Sequence, residues 1–469
     1  MLFSSIPFLY YFIPVVMLCY FAVPKCLKNS VLLLASLFFY AWGEPRFVVL
    51  MVISITQGYI AGLWIERFRR KEQYGRSKVI LTASVLFSLG MLGYCKYADF
   101  FISNVNAVTG LSLPLLKIAL PIGISFYTFQ ILSYVVDVYR GDVPAQRSYI
   151  DLAAYIAMFP QLIAGPIVRY TDIVTELKER THSISGFSNG LSRFVIGLSK
   201  KILLANLLGE LVSVYKASPQ SSVVFAWTYA IAYTLHIYFD FSGYSDMAIG
   251  LGQMFGFHFP ENFNYPYISK SITEFWRRWH MSLGSWFRDY LYIPLGGNRV
   301  AKWRWFLNLF IVWMATGLWH GAAWNFVCWG LLFAVLLIVE KVWLLTVWKK
   351  CRWMNHVYVL FFVVISFVIF DAADMTSAFG TLKTLAGFGG LPFVTEESLY
   401  YLKSYGMVMI LAGIGATPFP ALAIRRGRAS RAGAQLLSVL EPVGLFVLLI
   451  VCTAFLIDGS FNPFLYFRF

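Results

Sequence analysis

His320 lies near the middle of an apolar run that extends from Trp305 to Val339. If this run crosses a bilayer, the imidazole lies far from both aqueous interfaces, where an ionisable group is costly and marks a functional site by default. Histidine has an ordinary pKa of about 6.5, so a neutral ring can accept a proton near neutral pH. We therefore interpret His320 as a candidate general base. A structural histidine that donates to a neighbouring carbonyl is the alternative.

The apolar stretch from 305 to 345 is too long for one crossing, because a helix rises about 1.5 Å per residue. Gly317 and Gly321 flank His320, and glycine permits a turn or a close approach of two helices. The sequence therefore predicts that the helix is interrupted at this histidine.

His236 and Asp240 are four residues apart, which places them on one face of a helix. They form either a hydrogen-bonded pair that faces a helix bundle, a metal site, or part of a catalytic polar network. No third Cys, His or carboxylate stands at a suitable spacing, so the sequence does not favour a metal. A structural or lining role is preferred.

Trp and Arg are interleaved within residues 270–304, for example around Arg277 and Arg278. This composition is typical of a helix at the membrane interface, with rings at headgroup depth and cations in water. The alternative is a basic rim beside a cavity, because arginine suits bidentate contacts to phosphate. The two arginines point to different helix faces, so at most one faces a given ligand.

The composition indicates the class of protein that holds these residues. The chain has 469 residues, of which 59% are hydrophobic and 13% are charged, whereas soluble domains carry about 25% charged residues. An all-α, polytopic integral membrane protein follows, because backbone groups in lipid must be satisfied within helices. About eleven spans are predicted, at 6–24, 29–43, 46–65, 78–97, 115–138, 222–241, 305–320, 323–345, 354–371, 404–424 and 436–457.

The net charge of +15 does not indicate nucleic acid binding, because the basic residues cluster in short loops at 67–78, 349–352 and 425–431. Loop 98–112 has no Lys or Arg, and 372–401 has only Lys383. The positive-inside rule then places both termini outside. The first apolar segment lacks a basic n-region, so we interpret it as a span rather than a signal peptide. The six cysteines contain no Cys-x-x-Cys pair, and neither a disulfide framework nor a zinc motif is expected.

Two interruptions precede the polar segments. Pro121 and Gly123 lie within the predicted span at 115–138, and Gly165-Pro166 ends the apolar stretch at 149–168. The basic stretch 169–201 would face outside if 149–168 crossed fully, so a re-entrant or half-crossing helix is predicted there. Irregular backbone at membrane depth must be covered by protein or line a cavity.

Three motifs carry a resemblance to a known family. They are Phe275-Trp276-Arg277-Arg278-Trp279-His280, the segment from Trp286 to Arg299, and Gly317-Leu318-Trp319-His320-Gly321. They resemble the membrane-bound O-acyltransferases (MBOAT), and the closest branch looks like the bacterial alginate O-acetyltransferase membrane subunits. The opening residues and the tail at 462–469 also look like this branch, so the resemblance covers nearly the whole chain.

The resemblance implies a single transmembrane domain over 1–469, with N-terminal spans (1–145), a catalytic core (146–345) and C-terminal spans (346–469). Spans, re-entrant and interfacial helices would surround a central tunnel that crosses the bacterial cytoplasmic membrane. The family's essential histidine falls on His320, and its second histidine falls on His280. Arg277 and Arg278 are candidate donor-binding residues. The candidates to line the tunnel are His236, Asp240, Trp319 and Asn325.

The activity implied is O-acetylation of an exported or cell-envelope polysaccharide. Acetyl-CoA would be the cytoplasmic donor, and an extracytoplasmic acetyltransferase would be the partner; no bound cofactor or metal is expected. His320 would act as base, because no Gly-x-Ser-x-Gly elbow indicates a serine nucleophile, although an acyl-histidine stays open. His280 would be either a second catalytic or orienting group, or a donor-binding residue.

Two alternatives to this activity stay open. A D-alanyl transferase for teichoic acid is the first, and a transporter is the second. Transporters often contain two-fold repeats with paired broken helices, and the interruptions in this chain are not equivalently placed in two halves.

Overall fold

The computed structural model describes residues 1–163, 165–219, 221–344 and 352–459. Every regular element in those ranges is a helix, and no strand occurs in them. The chain divides into two compact units, one formed by Met1–Phe194 and Met247–Pro260, the other by Val195–Asp246 and Glu261–Phe469. Cys351, Lys349, Lys350 and the tail motif at 462–469 lie outside the described residues.

Long apolar helices form most of the first unit, and short ones follow them. They are α1 (Phe8–Ala22), α2 (Lys28–Gly43), α3 (Val48–Arg70), α4 (Tyr74–Thr109), α5 (Ile124–Arg140), α6 (Tyr149–Ala157), α7 (Phe159–Leu162) and α8 (Tyr170–Ile173). Gly62 of α3 packs against Tyr134 of α5, where a Cβ would come within 2.5 Å of the phenolic oxygen. Small residues of this kind let helices associate in a bilayer, where lipid supplies no hydrophobic driving force between them.

The predicted span at 115–138 is wrong in its first part. Helix α5 begins only at Ile124, after Gly123 adopts a left-handed φ of 74°. The preceding residues are not helical. The Asp99 carboxylate accepts from the backbone amides of Leu116 and Lys117 at 2.7 and 2.9 Å. Local side-chain bonds of this kind compete with helix formation.

Residues 149–168 do not form one continuous helix, and the re-entrant or half-crossing helix itself stays a prediction. Helix α6 has nine residues and is therefore about 14 Å long, against a hydrocarbon core of about 30 Å. The chain breaks at Met158 before α7. The buried amide of Phe159 donates to the hydroxyl of Ser36 at 3.0 Å, so the break leaves this backbone group satisfied.

The second unit contains the polar segments. Helix α9 (Ile184–Ser199) continues as a π-helical segment, Lys200–Asn206, and α9 and α11 contribute residues to both units. The other helices are α10 (Leu207–Ala217), α11 (Val223–Met254), α12 (Ile272–Arg278), α13 (Met281–Phe287), α14 (Lys302–His320), α15 (Trp324–Val339), α16 (Arg352–Asp371), α17 (Met375–Leu385), α18 (Glu396–Gly415), α19 (Phe419–Arg428) and α20 (Arg431–Ile457). Buried rings such as Phe275, Trp329 and Phe367 form its core.

Two consecutive lysines of the π-helical segment pair with carboxylates of α11. Lys201 Nζ lies 2.5 Å from Asp240 Oδ1, with 0% and 1% of the two side chains exposed. Lys200 Nζ lies 2.6 Å from Asp246 Oδ2. Gly243 stands between these two aspartates in the sequence, and a Cβ there would lie 2.7 Å from the Gly197 carbonyl oxygen. The backbones therefore approach closely enough for the short distances between the charged groups.

Six described helices are long and apolar enough to cross a membrane, or seven if the pair α18 and α19 forms one span. That pair is bent by 60°, because Pro418 and Pro420 interrupt the helix; the predicted span at 404–424 therefore contains a break. The helices make the chain a multi-pass membrane protein. The number of eleven spans and the central tunnel stay predictions.

Candidate active site

His320 is the last residue of α14, and its side chain is 3% exposed. Gly321 leaves the helix and α15 begins at Trp324, which confirms the predicted interruption. One turn before the histidine, Gly317 packs so closely on α15 that a Cβ would overlap the carbonyl group of Phe326. The two helices therefore pack backbone against backbone and hold His320 at the turn that joins them.

Three aromatic rings surround the imidazole of His320. The ring centroids of Trp319 and Trp329 each lie 5.0 Å away, and that of Phe370 lies 5.2 Å away. The planes are inclined by 86°, 82° and 79°, which is the edge-to-face arrangement that aromatic quadrupoles favour. These contacts fix the orientation of the imidazole.

Asn325 holds the end of α16 beside this ring. Its Nδ2 donates to the carbonyl of Ala372 at 2.9 Å and lies 3.4 Å from that of Phe370. The last carbonyls of a helix need such partners. Asn325 was expected to line a tunnel, and the structure shows it fixing the segment that places Phe370 against His320.

A cavity of about 620 Å³ lies next to the same segment. Its lining includes Phe326 and Phe370 on the apolar side, and Tyr215, Lys216, Tyr229 and Asp371 on the polar side. Phe370 lines this cavity and also contacts His320, so the histidine touches a residue of the cavity wall.

Asp371 organises the polar side of the cavity. Its Oδ2 lies 2.6 Å from Lys216 Nζ and accepts from the Tyr229 hydroxyl at 2.6 Å. The ring of Tyr229 stacks on that of Tyr215 with centroids 4.4 Å apart. The cavity therefore presents a cation, several hydroxyl groups and a stacked aromatic pair beside the apolar wall.

The second candidate histidine, His280, lies between two short helices. Residues 270–304 do not form one interfacial helix as the first interpretation proposed, because α12 ends at Arg278 and α13 begins at Met281. His280 has a φ of 44°, a left-handed conformation that costs energy for a residue other than glycine and clusters at functional sites. Its side chain is 1% exposed.

Asn262 determines which nitrogen of His280 carries the proton. Its Nδ2 donates to the Ser245 hydroxyl at 3.1 Å, and its Oδ1 accepts from the Ser282 hydroxyl at 2.8 Å. The same Oδ1 lies 3.1 Å from His280 Nδ1, so Nδ1 is the protonated nitrogen. Burial lowers the pKa of His280 to about 3. Its Nε2 is a buried acceptor with no hydrogen-bond partner in the described parts of the chain.

Trp319 brings the two histidines together. Its indole contacts His320 and also lies 5.7 Å from the ring of His280, centroid to centroid. Phe241 of α11 packs against His280 on another side, at 4.6 Å. The motifs around residues 280 and 320 therefore share one aromatic cluster.

His236 and Asp240 lie on the same helix as Phe241, and the structure gives each a partner from the preceding segment. His236 Nδ1 donates to the Ala205 carbonyl at 2.6 Å, and Asp240 pairs with Lys201. Within the described residues, no group of three or more His, Cys, Asp or Glu side chains is arranged to hold a metal ion.

The carboxylate of Glu340 anchors the short helix α12 that leads to His280. It is buried and accepts from the first backbone amides of the helix, those of Ile272 and Thr273, at 2.5 and 3.1 Å. A negative charge at a helix N-terminus satisfies free amides and complements the helix dipole.

The two candidate donor-binding arginines of α12 differ in what they contact. Arg278 pairs with Glu274 at 2.9 Å and donates to the Asn264 carbonyl at 3.0 Å. Arg277 is exposed, and its charge acts on the nearby Lys341. Arg277 is therefore the more accessible cation.

Several of these residues were not predicted from the sequence. Glu340 was detectable, because it is a carboxylate at the end of a long apolar run. Asn262, Lys216 and Asp371 were not, because their importance depends on partners that are distant in the sequence.

Comparison with known proteins gives consistent findings. The model of the MBOAT, membrane-bound O-acyltransferase family matches residues 143–375, which include both candidate histidines. The chain is 38% identical to the probable alginate O-acetylase of Pseudomonas putida over 487 residues, covering 100% of both proteins. It is 44% identical over 396 residues to that of Pseudomonas aeruginosa, covering 83% of this chain and 75% of the relative.

Relatives with other named substrates are also found. The chain is 34% identical over 431 residues to the peptidoglycan O-acetyltransferase of Helicobacter pylori, covering 83% of this chain and 81% of that protein. The teichoic acid D-alanyltransferase of Bacillus subtilis is 30% identical over 266 residues, covering 52% of this chain and 65% of that protein. The similarity to the acetyltransferases is therefore greater in both identity and coverage.

Proposed function

Because this chain belongs to the membrane-bound O-acyltransferase family and is an acyltransferase, we propose that it moves acetyl groups across the bacterial cytoplasmic membrane. The donor is acetyl-CoA in the cytoplasm. The final acceptor is a hydroxyl group of an exported or cell-envelope polysaccharide, reached through an extracytoplasmic acetyltransferase partner. The greater similarity to the acetyltransferases supports acetyl over D-alanyl transfer, and membership of an enzyme family argues against a transporter.

The charge distribution supports an orientation for the cavity. Ala372 and Ser377 line it, and they belong to the segment 372–401 between two predicted spans, which contains only Lys383 as a basic residue. The positive-inside rule places such a loop outside the cell, together with both termini. The cavity then receives the acceptor from the extracytoplasmic side.

His320 serves as the general base in this proposal. The acceptor hydroxyl loses its proton to the imidazole as its oxygen attacks the thioester carbonyl carbon. The carbon–sulfur bond then breaks, and the imidazolium returns the proton to the departing thiolate of CoA. The observation that carries the proposal is that Phe370 both contacts His320 and lines the cavity.

His280 orients a reacting group in this scheme. Its low pKa of about 3, which results from burial, keeps the ring neutral, so it cannot attract donor phosphates through charge. Its Nε2 can accept a hydrogen bond. Arg277 is exposed and close to Lys341, and these two cations suit the phosphates of CoA better than the histidine does.

A reconstituted system tests the proposal. The purified protein is placed in vesicles with acetyl-labelled acetyl-CoA, and transfer of label to an added hydroxyl acceptor is measured. Loss of a general base typically costs about 10²–10⁴-fold in rate, and we expect this loss in a His320→Ala variant that remains monodisperse. His258→Ala, at an exposed histidine of the first unit, is the matched control and should retain activity.

Full activity of His320→Ala would refute the assignment. The same experiment addresses the mechanism: acid quenching followed by mass spectrometry would detect an acetyl group on His320 if an acyl-histidine forms, and the base mechanism predicts none. A donor that stays intact while another solute crosses the vesicle membrane would indicate a transporter.

A further inference from the structure

The first unit carries a cluster of basic side chains where its first apolar helix ends. Lys25 and Lys28 lie at the start of α2, and Arg180 and His182 follow α8. Three of them converge on Tyr20, whereas Lys25 acts on Lys28 and His182 through its charge. Arg180 Nε donates to the Tyr20 hydroxyl at 2.7 Å, His182 Nε2 lies 2.9 Å from the same oxygen, and Lys28 Nζ lies 4.4 Å from the ring centroid.

No carboxylate neutralises this cluster among the residues that the structure describes. None of the four basic side chains has an ion pair within 4.0 Å there. The positive charges act on one another: burial, followed by the charges of Lys28 and Arg180, lowers the pKa of His182. The local charge is therefore positive; one carboxylate, Asp151, accepts at 2.7 Å from the Nδ2 of Asn29, whose Oδ1 binds Arg180.

The guanidinium of Arg180 is held in place by neutral groups only. Its Nη1 donates to the Asn29 amide oxygen at 2.7 Å, and its Nε donates to Tyr20. Its Nη2 is buried and has no hydrogen-bond partner within the described ranges of the chain. A fixed cation with one unused donor is suited to an incoming anion, because charge-assisted bonds to phosphate are strong.

Aromatic rings flank the cations. Lys28 Nζ lies 5.0 Å from the ring centroid of Phe21, and the Arg180 guanidinium lies 4.6 Å from that of Phe257. Such rings supply an apolar surface beside the charges, which suits a ligand that carries both a phosphate and an apolar part.

We propose that Lys25, Lys28, Arg180 and His182 form a binding site for a phosphate group at the membrane surface. The phosphate belongs either to the headgroup of an anionic phospholipid or to a nucleotide such as coenzyme A. The sequence places these residues on the same side as the basic loops, which is the cytoplasmic side under the charge rule. The nucleotide source depends on the proposed function, whereas the phospholipid source does not.

Binding to the full-length protein tests the site without any activity measurement. The protein is placed in phosphatidylcholine nanodiscs, and binding of a fluorescent phosphatidylglycerol is titrated in one arm and of coenzyme A in the other. The variant Lys25→Ala/Lys28→Ala removes two cations and leaves the bonds between Arg180 and Tyr20 in place. The matched control is Lys71→Ala/Lys78→Ala, which removes two exposed lysines of the same unit.

We expect the double variant to weaken binding about tenfold or more, since each charge-assisted bond contributes more than a neutral one. The control and the charge-keeping variant Lys25→Arg/Lys28→Arg should bind as the wild type does. Reduced binding of phosphatidylglycerol alone identifies a headgroup site, and reduced binding of coenzyme A alone identifies a nucleotide site. If the double variant is not monodisperse, Lys25→Glu, at an exposed position, gives the same readout.

The inference is overturned if neither ligand binds, or if the control loses as much affinity as the double variant. Loss of acetyl transfer in the separate activity assay leaves this result unaffected, so the two proposals can fail independently.

Discussion

Replacement of Asn262 by leucine should disrupt the hydrogen bonds around His280 and leave the flanking helices α12 and α13 intact. The amide oxygen of Asn262 accepts from His280 Nδ1 at 3.1 Å, and from the hydroxyl and backbone amide of Ser282 at 2.8 and 3.3 Å. Leucine has a similar size but no acceptor. The three donors would then be buried without a partner.

The expected cost follows from those three donors. Each buried donor without an acceptor costs about 1–3 kcal/mol, so the lower limit for three is about 3 kcal/mol. The backbone of His280 is already strained by its left-handed conformation, and Asn262 is one of the contacts that hold it there. We therefore expect both lower stability and an imidazole that is no longer restricted to the Nδ1-protonated form.

Three measurements on the purified protein in detergent check this prediction. Thermal unfolding gives the loss of stability, ¹⁵N NMR of labelled histidine gives the ring tautomer, and acetyl transfer should show a lower kcat with little change in KM for the donor. Asn264→Leu is the matched control, because Asn264 is exposed and close in sequence. Asn262→Asp keeps an acceptor and should restore the Nδ1-protonated form.

The reasoning is refuted by a specific result. If Asn262→Leu has the stability of the Asn264→Leu control and an unchanged histidine spectrum, the three hydrogen bonds do not determine the state of His280.

Three further predictions concern packing, pH and buried charge. Gly317→Val should destabilise the protein and abolish acetyl transfer, because a Cβ at this position overlaps the Phe326 carbonyl. The control Gly413→Val should be tolerated, because a Cβ there meets nothing within 4 Å. Equal expression and activity of the two variants would contradict the packing argument. Because the pKa of His280 is lowered to about 3, the unfolded chain takes up a proton below pH 6.5 that the folded protein does not. Stability should therefore fall by about 1 kcal/mol between pH 6.5 and 5.5, and thermal unfolding of His280→Asn, a residue that tolerates the left-handed conformation, should lack this part of the decrease. Lys201→Met should lower the free energy of unfolding by about 3–5 kcal/mol, since it removes the lysine charge from the buried carboxylate of Asp240. The double variant Lys201→Met/Asp240→Leu should be close to the wild type in stability. A double variant as unstable as the single one would show that the pair itself is required.

Local features of the sequence, such as glycines and the distribution of charge, predicted some of the helix breaks. The break at His320 followed from helix length and from Gly317 and Gly321, and the structure confirms it. A charge argument predicted a half-crossing or re-entrant helix at 149–168, and the short helix α6 is compatible with it. The bend between α18 and α19 was missed although Pro418 and Pro420 were visible, because the apolar run continues across them.

The division of residues 270–304 could not be predicted in the same way. The break at His280 has no signal in the composition, because neither proline nor glycine occurs between Lys270 and Leu283; only later in the segment do Gly284, Pro294, Gly296 and Gly297 disfavour a continuous helix. The break arises where the backbone of His280 is left-handed, and that conformation depends on Asn262 and on the capping of α12 by Glu340. Both partners are tertiary contacts, which periodicity does not encode.

The two histidines are held in ways that suit different tasks. A general base must take up a proton in each turnover, so a ring whose pKa lies far below the working pH accepts that proton poorly, whereas a bond that keeps one ring nitrogen a donor only fixes the tautomer. His280 has such a bond to Asn262, and its burial opposes the charged form. His320 packs edge-to-face against three rings, and one of them, Phe370, lines the cavity from which the acceptor would approach. On this argument His280→Asn should lower kcat less than His320→Ala, which should lower it about 10²–10⁴-fold. The opposite order of effects would show that the base is His280.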